Sequence, residues 1–476
     1  MSTPLGTRSA SRDTFPRLTH RVLGSWKGLR ARALTTLVLA GVLASLAGPA
    51  PAATSQHTST AHARASSPFP SVRVSPAFFG MHDASQQAYG RLPFGSLRLW
   101  DAFVTWKDIE TSPGVYDWTR LDSLVTGAQE HGVQVTLVLA MTPSFYSDAE
   151  SLPPRLLAHY RDYVRAVMTR YRDFNGERGI SAYQVWNEGN VRTFWTGTPY
   201  QLAQLTRIVH SVRGQVDPGA TVVAPSFAMR LTSQRTWFSR YQAQRVGGKP
   251  VSHYYDVNAV SLYPMPTYGG RTGGPEDAMA LLGDVRKRLS SAGVPDSKGL
   301  WATEINYGVQ TGTPGHLSAD PISERRQVAN VIRTYLLGAA RGLSRVFWYR
   351  YDWGRLPESE GGGTLGNTLL STPGSPDQIT PAGQAVATAA EWLKGRLTGT
   401  DGKRPCAQDK NGTFTCVVHY AGGVRRIYWN PRHGARVPLP PNADFRQTSN
   451  GRVAAVGRAG DTMRVGYRPV MVSSPS

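Results

Sequence analysis

Two glutamates in this 476-residue chain stand where a carboxylate is costly unless it has work to do. Glu188 follows Val185-Trp186-Asn187, and Glu304 follows Trp301-Ala302-Thr303, 116 residues further on. Each comes at the end of a short apolar run. A carboxylate there loses solvation and needs a partner or a task. Two of them facing one cleft form the arrangement that glycosidic-bond cleavage needs. One protonates the leaving oxygen, and the other attacks the anomeric carbon or activates water. Further chemistry-bearing residues sit at the ends of neighbouring runs: His82, Arg98, Trp100, Tyr263 and Trp348.

The elements that must hold these residues follow from the pattern. Apolar β-rich runs at 77–82, 96–101, 133–141, 180–187, 220–226, 256–263, 299–305 and 344–351 read as strands. They are apolar nearly throughout, as strands covered on both faces are. Helical runs at 117–131, 153–174, 199–216, 275–292, 321–341 and 380–396 lie between or after them, and Pro199, Pro275 and Pro381 fall near helix starts. Eight strands alternating with helices over 72–399 predict the α/β class and a (β/α)8 barrel. A doubly wound sheet would alternate too, but its dinucleotide fingerprint is missing. Barrels of this kind work at the C-terminal ends of their strands. Glu188 on strand 4 and Glu304 on strand 7 then face one mouth from opposite sides. The helical periodicity stops after Gly399, and 400–476 reads as a small β-sandwich module.

Composition narrows the classes. Hydrophobic residues are 40% and aromatics 10%, enough for a sizeable core. Two cysteines exclude four-thiolate metal sites. Outside the cytoplasm Cys406 and Cys416, ten apart, would form a disulfide; the alternative is two free buried thiols. The zincin, P-loop and nucleophile-elbow motifs are absent. The net charge is +21, and seven basic residues against one acid lie in 1–33. An apolar stretch from Ala33 to Ala47 and small residues up to Ala53 follow. The three parts describe a secretory signal peptide over 1–53, and the alternative is an uncleaved N-terminal anchor. Residues 54–71 read as a flexible linker. No other run suggests a membrane span. The mature protein is expected outside the cytoplasm, where nucleic acid is not its target. The remaining charge suits acidic or wall-associated glycans, or is simply a solvated surface.

With these residues in place the chain resembles the glycoside hydrolases of clan A, most closely family 39, with family 5 or another clan A family as the alternative. That clan carries its acid/base in an Asn-Glu pair at the end of strand 4, matching Asn187-Glu188, and its nucleophile on strand 7, matching Glu304. The segment from Trp106 and Glu110 through Gly114-Val115-Tyr116-Asp117-Trp118 is similar to the strand 2–helix 2 region of several of its families. The resemblance implies a retaining mechanism without metal or organic cofactor and a carbohydrate substrate. It implies that Asn187 binds the sugar 2-hydroxyl, Arg98 keeps Glu304 ionised, Tyr263 donates to the nucleophile and Trp348 floors the −1 subsite. Many relatives carry His-x-Tyr at the end of strand 6, where this chain has Ser261. His82 on strand 1 is the candidate substitute. Trp100, Phe145, Tyr146, Trp195, Tyr268, Tyr307 and Trp353 are aromatics placed to stack on sugar faces or to pack. The competing reading is a carbohydrate- or wall-binding barrel without catalysis.

Overall fold

The computed structural model describes residues 70–82, 89–264, 273–309, 322–351, 370–372, 375–400, 402–458 and 460–475. The leader 1–53, the linker as far as residue 69, and Tyr268, Asp352 and Trp353 lie outside them. Eight parallel strands close into a barrel: β1 (Phe79–Met81), β2 (Ser96–Leu99), β3 (Gln134–Val138), β4 (Ala182–Gln184), β5 (Thr221–Val223), β6 (Val257–Ser261), β7 (Gly299–Ile305) and β8 (Arg345–Trp348). The ring closes where β1 pairs with β8, Phe79 opposite Val346. All eight strands read from the pattern are present, each shorter than its apolar run except β7, which keeps the bounds 299–305.

Helices α1 (Thr119–Glu130), α2 (Leu157–Tyr171), α3 (Pro199–Val216), α4 (Thr232–Gln242), α5 (Pro275–Ser291), α6 (Glu324–Ala340) and α7 (Pro381–Trp392) follow β2 to β8 in turn. The pattern omits α4, whose first residues, Thr-Ser-Gln-Arg, carry no apolar face. Only Phe238 and Tyr241, with Trp237 beside them, anchor it. Pro199, Pro275 and Pro381 are each the first residue of their helix, where the missing N–H goes unmissed. At α3 the Thr198 and Gln201 side chains cap each other's backbone N–H groups. Among the described residues no helix is long and apolar enough to cross a membrane.

Inside the barrel Ala182, Val223, Ala259, Trp301 and Phe347 pack together. The Phe347 ring leaves no room opposite β1: a Cβ on Gly80 would lie 2.5 Å from it. Strand β7 breaks its own alternation. Ala302 pairs with Val346 and Ile305 with Trp348, so three steps on β7 match two on β8. Trp301 packs inside, while Ala302 and Ile305 both join the outer core. The extra residue is a bulge, and it turns Glu304 inward.

Helix α7 ends at Trp392, and Arg396–Thr398 (β9) already belongs to the C-terminal sheet. That sheet also contains β10 (Ala407–Gln408), β11 (Phe414–Tyr420), β12 (Gly423–Trp429), β14 (Phe445–Thr448), β15 (Val453–Ala455) and β17 (Val470–Ser474). A ribbon of β13 (Ala435–Pro438) and β16 (Thr462–Val465) forms the second layer. Val437, Leu439, Met463 and Val465 pack on Tyr428 and Val472 between the layers. The module's other contacts reach the barrel: Trp429 donates to Glu276 at 2.9 Å, and Trp392 to Gln447 at 2.7 Å. Val72 and Leu397 exchange two backbone hydrogen bonds of 2.8 Å. Cys406 and Cys416 are joined, S–S 1.99 Å, tying the segment before β10 to β11.

Candidate active site

The mouth is organised around one buried cation. Arg98 on β2 is 1% exposed. It donates Nε–H to Gln184 Oε1 (2.8 Å), Nη1–H to Glu304 Oε1 (2.9 Å) and Nη2–H to Asn187 Oδ1 (2.7 Å). A planar fork with fixed donors fits three acceptors from β4 and β7 at once, which an ammonium could not do. Tyr263, just past β6, donates its hydroxyl to the other oxygen of Glu304 at 3.0 Å. Glu304 therefore holds one donor on each oxygen. Asp101 is no partner of Arg98: it accepts from the Tyr349 hydroxyl and pairs with Arg350 at 3.7 Å.

Glu188 lies past the end of β4 with φ at +36°, in the left-handed region. A non-glycine residue pays about 1–3 kcal/mol to sit there and needs a surrounding that enforces it. Ser226, past the end of β5, supplies it. Its hydroxyl accepts from the Glu188 N–H at 2.8 Å and donates to Asn187 Oδ1 at 3.2 Å. Its carbonyl accepts from the Gly189 N–H and its N–H donates to the Trp186 carbonyl. One serine thus clamps both members of the Asn-Glu pair. Nothing in the sequence singles it out, because a serine in Ala-Pro-Ser-Phe reads as loop.

Burial raises both carboxyls. Glu304 is pushed up to about 8, first by burial and next by Coulomb repulsion from Glu188; Arg98 and Tyr263 oppose the rise. Glu188 is raised by burial, with the Ser261 hydroxyl, Arg98 and Arg230 pulling it back. The Ser261 contact stops short of hydrogen-bond geometry. Two charges in one mouth are costly, so the two carboxyls titrate as a coupled pair. Both strong donors point at Glu304. With the proton on Glu188 the repulsion vanishes, and the donors hold Glu304 ionised. Burial and the Glu304 charge raise the Tyr263 hydroxyl well above its usual range, so it stays a donor.

His82, past the end of β1, is buried and held below its usual range by burial and by Arg98, so it is neutral. Its Nε2 lies 2.8 Å from the Thr303 carbonyl and 3.3 Å from Arg98 Nη1. It adjoins Arg98 and the bulge of β7. Trp348 ends β8 fully buried, its ring 6.1 Å from that of Tyr307. Trp100 is buried edge-on to Phe194. Trp195 packs on Trp186, and Tyr146 stacks on His159, whereas Phe145 is exposed. The Trp106-to-Trp118 motif is a structural device. Glu110 accepts from Trp106 and Tyr146 side chains and from the Gly114 N–H, fixing the turn after β2.

No family model matches this chain, and neither does any curated protein sequence. Solved structures do match. A family 39 glycoside hydrolase from the gut symbiont Bacteroides cellulosilyticus aligns with a TM-score of 0.62 at 16% identity, over 84% of this chain and 82% of that one. A family 39 β-xylosidase from Caulobacter crescentus aligns at 0.58 and 17%, over 85% and 98%. A family 30 endoxylanase from Clostridium papyrosolvens aligns at 0.54 and 13%, over 85% and 98%. The chain has the fold these hydrolases share, in agreement with the resemblance read from its residues.

Proposed function

We propose that this protein is a secreted, retaining β-glycoside hydrolase. The observation that carries the reading is the asymmetric pair of carboxyls: Glu304 held by Arg98 and Tyr263, and Glu188 half-buried with no equivalent donor among the described residues. Glu304 attacks the anomeric carbon as the glycosidic C–O bond breaks, and Glu188 gives its proton to the leaving oxygen. Water then enters, loses a proton to Glu188 and attacks the same carbon, which releases Glu304. Asn187, with its Oδ1 committed to Arg98 and Ser226, offers its NH2 to the sugar 2-hydroxyl. Trp100 lines the sugar subsite, whereas Trp348, fully buried with Ile305 in the core outside the barrel, does not reach it. His82 is bonded to the Thr303 carbonyl and backs the bulge of β7 beside Arg98. The substrate is a β-linked oligo- or polysaccharide, and xylosides are the first to try because two aligned structures are a xylosidase and a xylanase.

The test starts from nitrophenyl glycosides and a panel of polysaccharides. Glu304→Gly should bring turnover below detection, since no glycosyl-enzyme can form. Glu188→Ala should lose ~10²–10⁴-fold on poor leaving groups. On an activated aryl glycoside it should show a burst, and azide should restore turnover as the β-glycosyl azide. Azide with Glu304→Gly should give the α-product. Wild-type rates in both variants, or reversed stereochemistry, would sink the assignment.

A further inference from the structure

We propose that a cleft at one end of the C-terminal module binds an anionic polysaccharide. The cleft has a volume of about 650 Å³ and lies among the turns 430–434, 448–452 and 466–469. Six arginines line it: Arg326, Arg432, Arg446, Arg452, Arg464 and Arg468. No Asp, Glu or Lys does. All six are exposed, and among the described residues none forms an ion pair. The bias is local to this part of the chain: 401–476 holds twelve Lys and Arg against four Asp and no Glu. Six guanidinium groups around one cavity repel each other and raise the local concentration of anions. A guanidinium pairs with carboxylate, sulfate or phosphate through two parallel N–H bonds, so a lining of arginine alone suits a chain bearing such groups repeatedly.

The walls are fixed before anything binds. Asn430 is fully buried, donates to the Asn411 carbonyl and accepts from the Arg432 and His433 N–H groups. Its own N–H donates to the Gly466 carbonyl. Arg326 lies over the Tyr467 ring at 5.4 Å, so that aromatic face is covered. Single-stranded nucleic acid binding uses open aromatic platforms, and a lipid surface needs a flat or convex face; this cleft is neither. Arg326 belongs to the first turn of α6, which starts at the mouth end of the barrel because helices run back against the strands. Cleft and mouth therefore share one side of the molecule. That the bound chain is also what the barrel cleaves rests on the hydrolase reading; the binding itself does not.

The measurement is binding of the whole protein to polygalacturonate, dextran sulfate and neutral xylan at ~0.1 M NaCl. Arg446→Gln/Arg464→Gln should weaken binding to one or both anionic polymers about tenfold, the equivalent of ~1.4 kcal/mol. Arg240→Gln/Lys287→Gln removes the same charge from exposed helix positions and should stay within about twofold of wild type. Loss on polygalacturonate identifies carboxylates as the ligand, and loss on dextran sulfate alone identifies sulfate esters. Equal loss in both variants, no binding to either polymer, or equally tight, arginine-dependent binding of duplex DNA overturns the proposal. Glu304→Gln should bind like wild type. Failure of the cleft and failure of the hydrolase reading thus register in different assays.

Discussion

Arginine is used in opposite ways at the mouth and in the module. At the mouth Arg98 is sealed in, with each of its three nitrogens donating to a neighbour on or just past β4 or on β7. Around the module's cleft six arginines, five from the module and Arg326 from α6, face water with no acid among them. A buried, paired guanidinium fixes geometry and moves the protonation of its partner, and salt barely reaches it. An exposed, unpaired set acts at a distance and is screened. The same side chain serves positioning in one region and recruitment in the other, and burial decides which.

Arg98→Ala should break the contrast most. It leaves Glu304, Asn187 and Gln184 without their shared donor, and breaking such a buried pair costs about 3–5 kcal/mol. Removing a cation favours the protonated carboxyl, so the acidic limb of kcat/KM should move up by about 1–3 pH units. Arg98→Lys keeps the charge and should leave that limb nearly in place while activity still falls. An unmoved limb in Arg98→Ala would place the control of Glu304 elsewhere. Ser226→Ala comes next. It takes one bond each from Glu188 and Asn187 and should lower kcat about tenfold, with KM on small glycosides changed less. Equal kcat in this variant would show that the left-handed turn at Glu188 stands without its clamp.

Salt separates the regions more gently. Raising NaCl from ~0.05 to ~0.5 M should leave turnover of an aryl glycoside nearly constant and weaken polymer binding. The smallest effect expected is on stability. Glu188 is raised in the folded protein, so the folded chain binds its proton more tightly than the unfolded one. That stabilisation is full below the ordinary carboxylate range and is lost as pH rises through the folded value. Glu188→Gln should therefore raise Tm by about 1–4 °C at pH 8 and have no effect near pH 4. A Tm increase of the same size at both pH values would trace it to packing.

The barrel was legible because its signals are local and repeat. Each of Pro199, Pro275 and Pro381 marks a helix start, and each parallel strand lies in a run that is apolar nearly throughout. The pair of glutamates was legible because an acid after Val-Trp-Asn or Trp-Ala-Thr conflicts with its surroundings. What joins them was not. Arg98 was tied to Glu304 only through the resemblance, and it is the closed ring that brings the two side chains to 2.9 Å. Ser226 acts through its backbone as much as its hydroxyl, and backbone leaves no trace in residue type. Helix α4 escaped because a polar first turn hides the spacing of Phe238 and Tyr241. The Trp106-to-Trp118 motif carried a resemblance to hydrolases, yet its Glu110 holds a turn.

The bulge in β7 makes the position of Glu304 a matter of phase. The strand counts in twos as far as Ala302 and resumes counting at Ile305, one beat late. Read with an unbroken count, Glu304 belongs to the row that faces the helices. An even pleat that kept Thr303 would exchange the addresses of the two sides, sending Ile305 toward Arg98 and the carboxylate into apolar packing. A redesign that regularised this strand would improve every local score for a parallel barrel and lose the reacting group. The residue type at position 304 is thus only half of what specifies the nucleophile. The other half is an irregularity one residue long, inherited from the backbone.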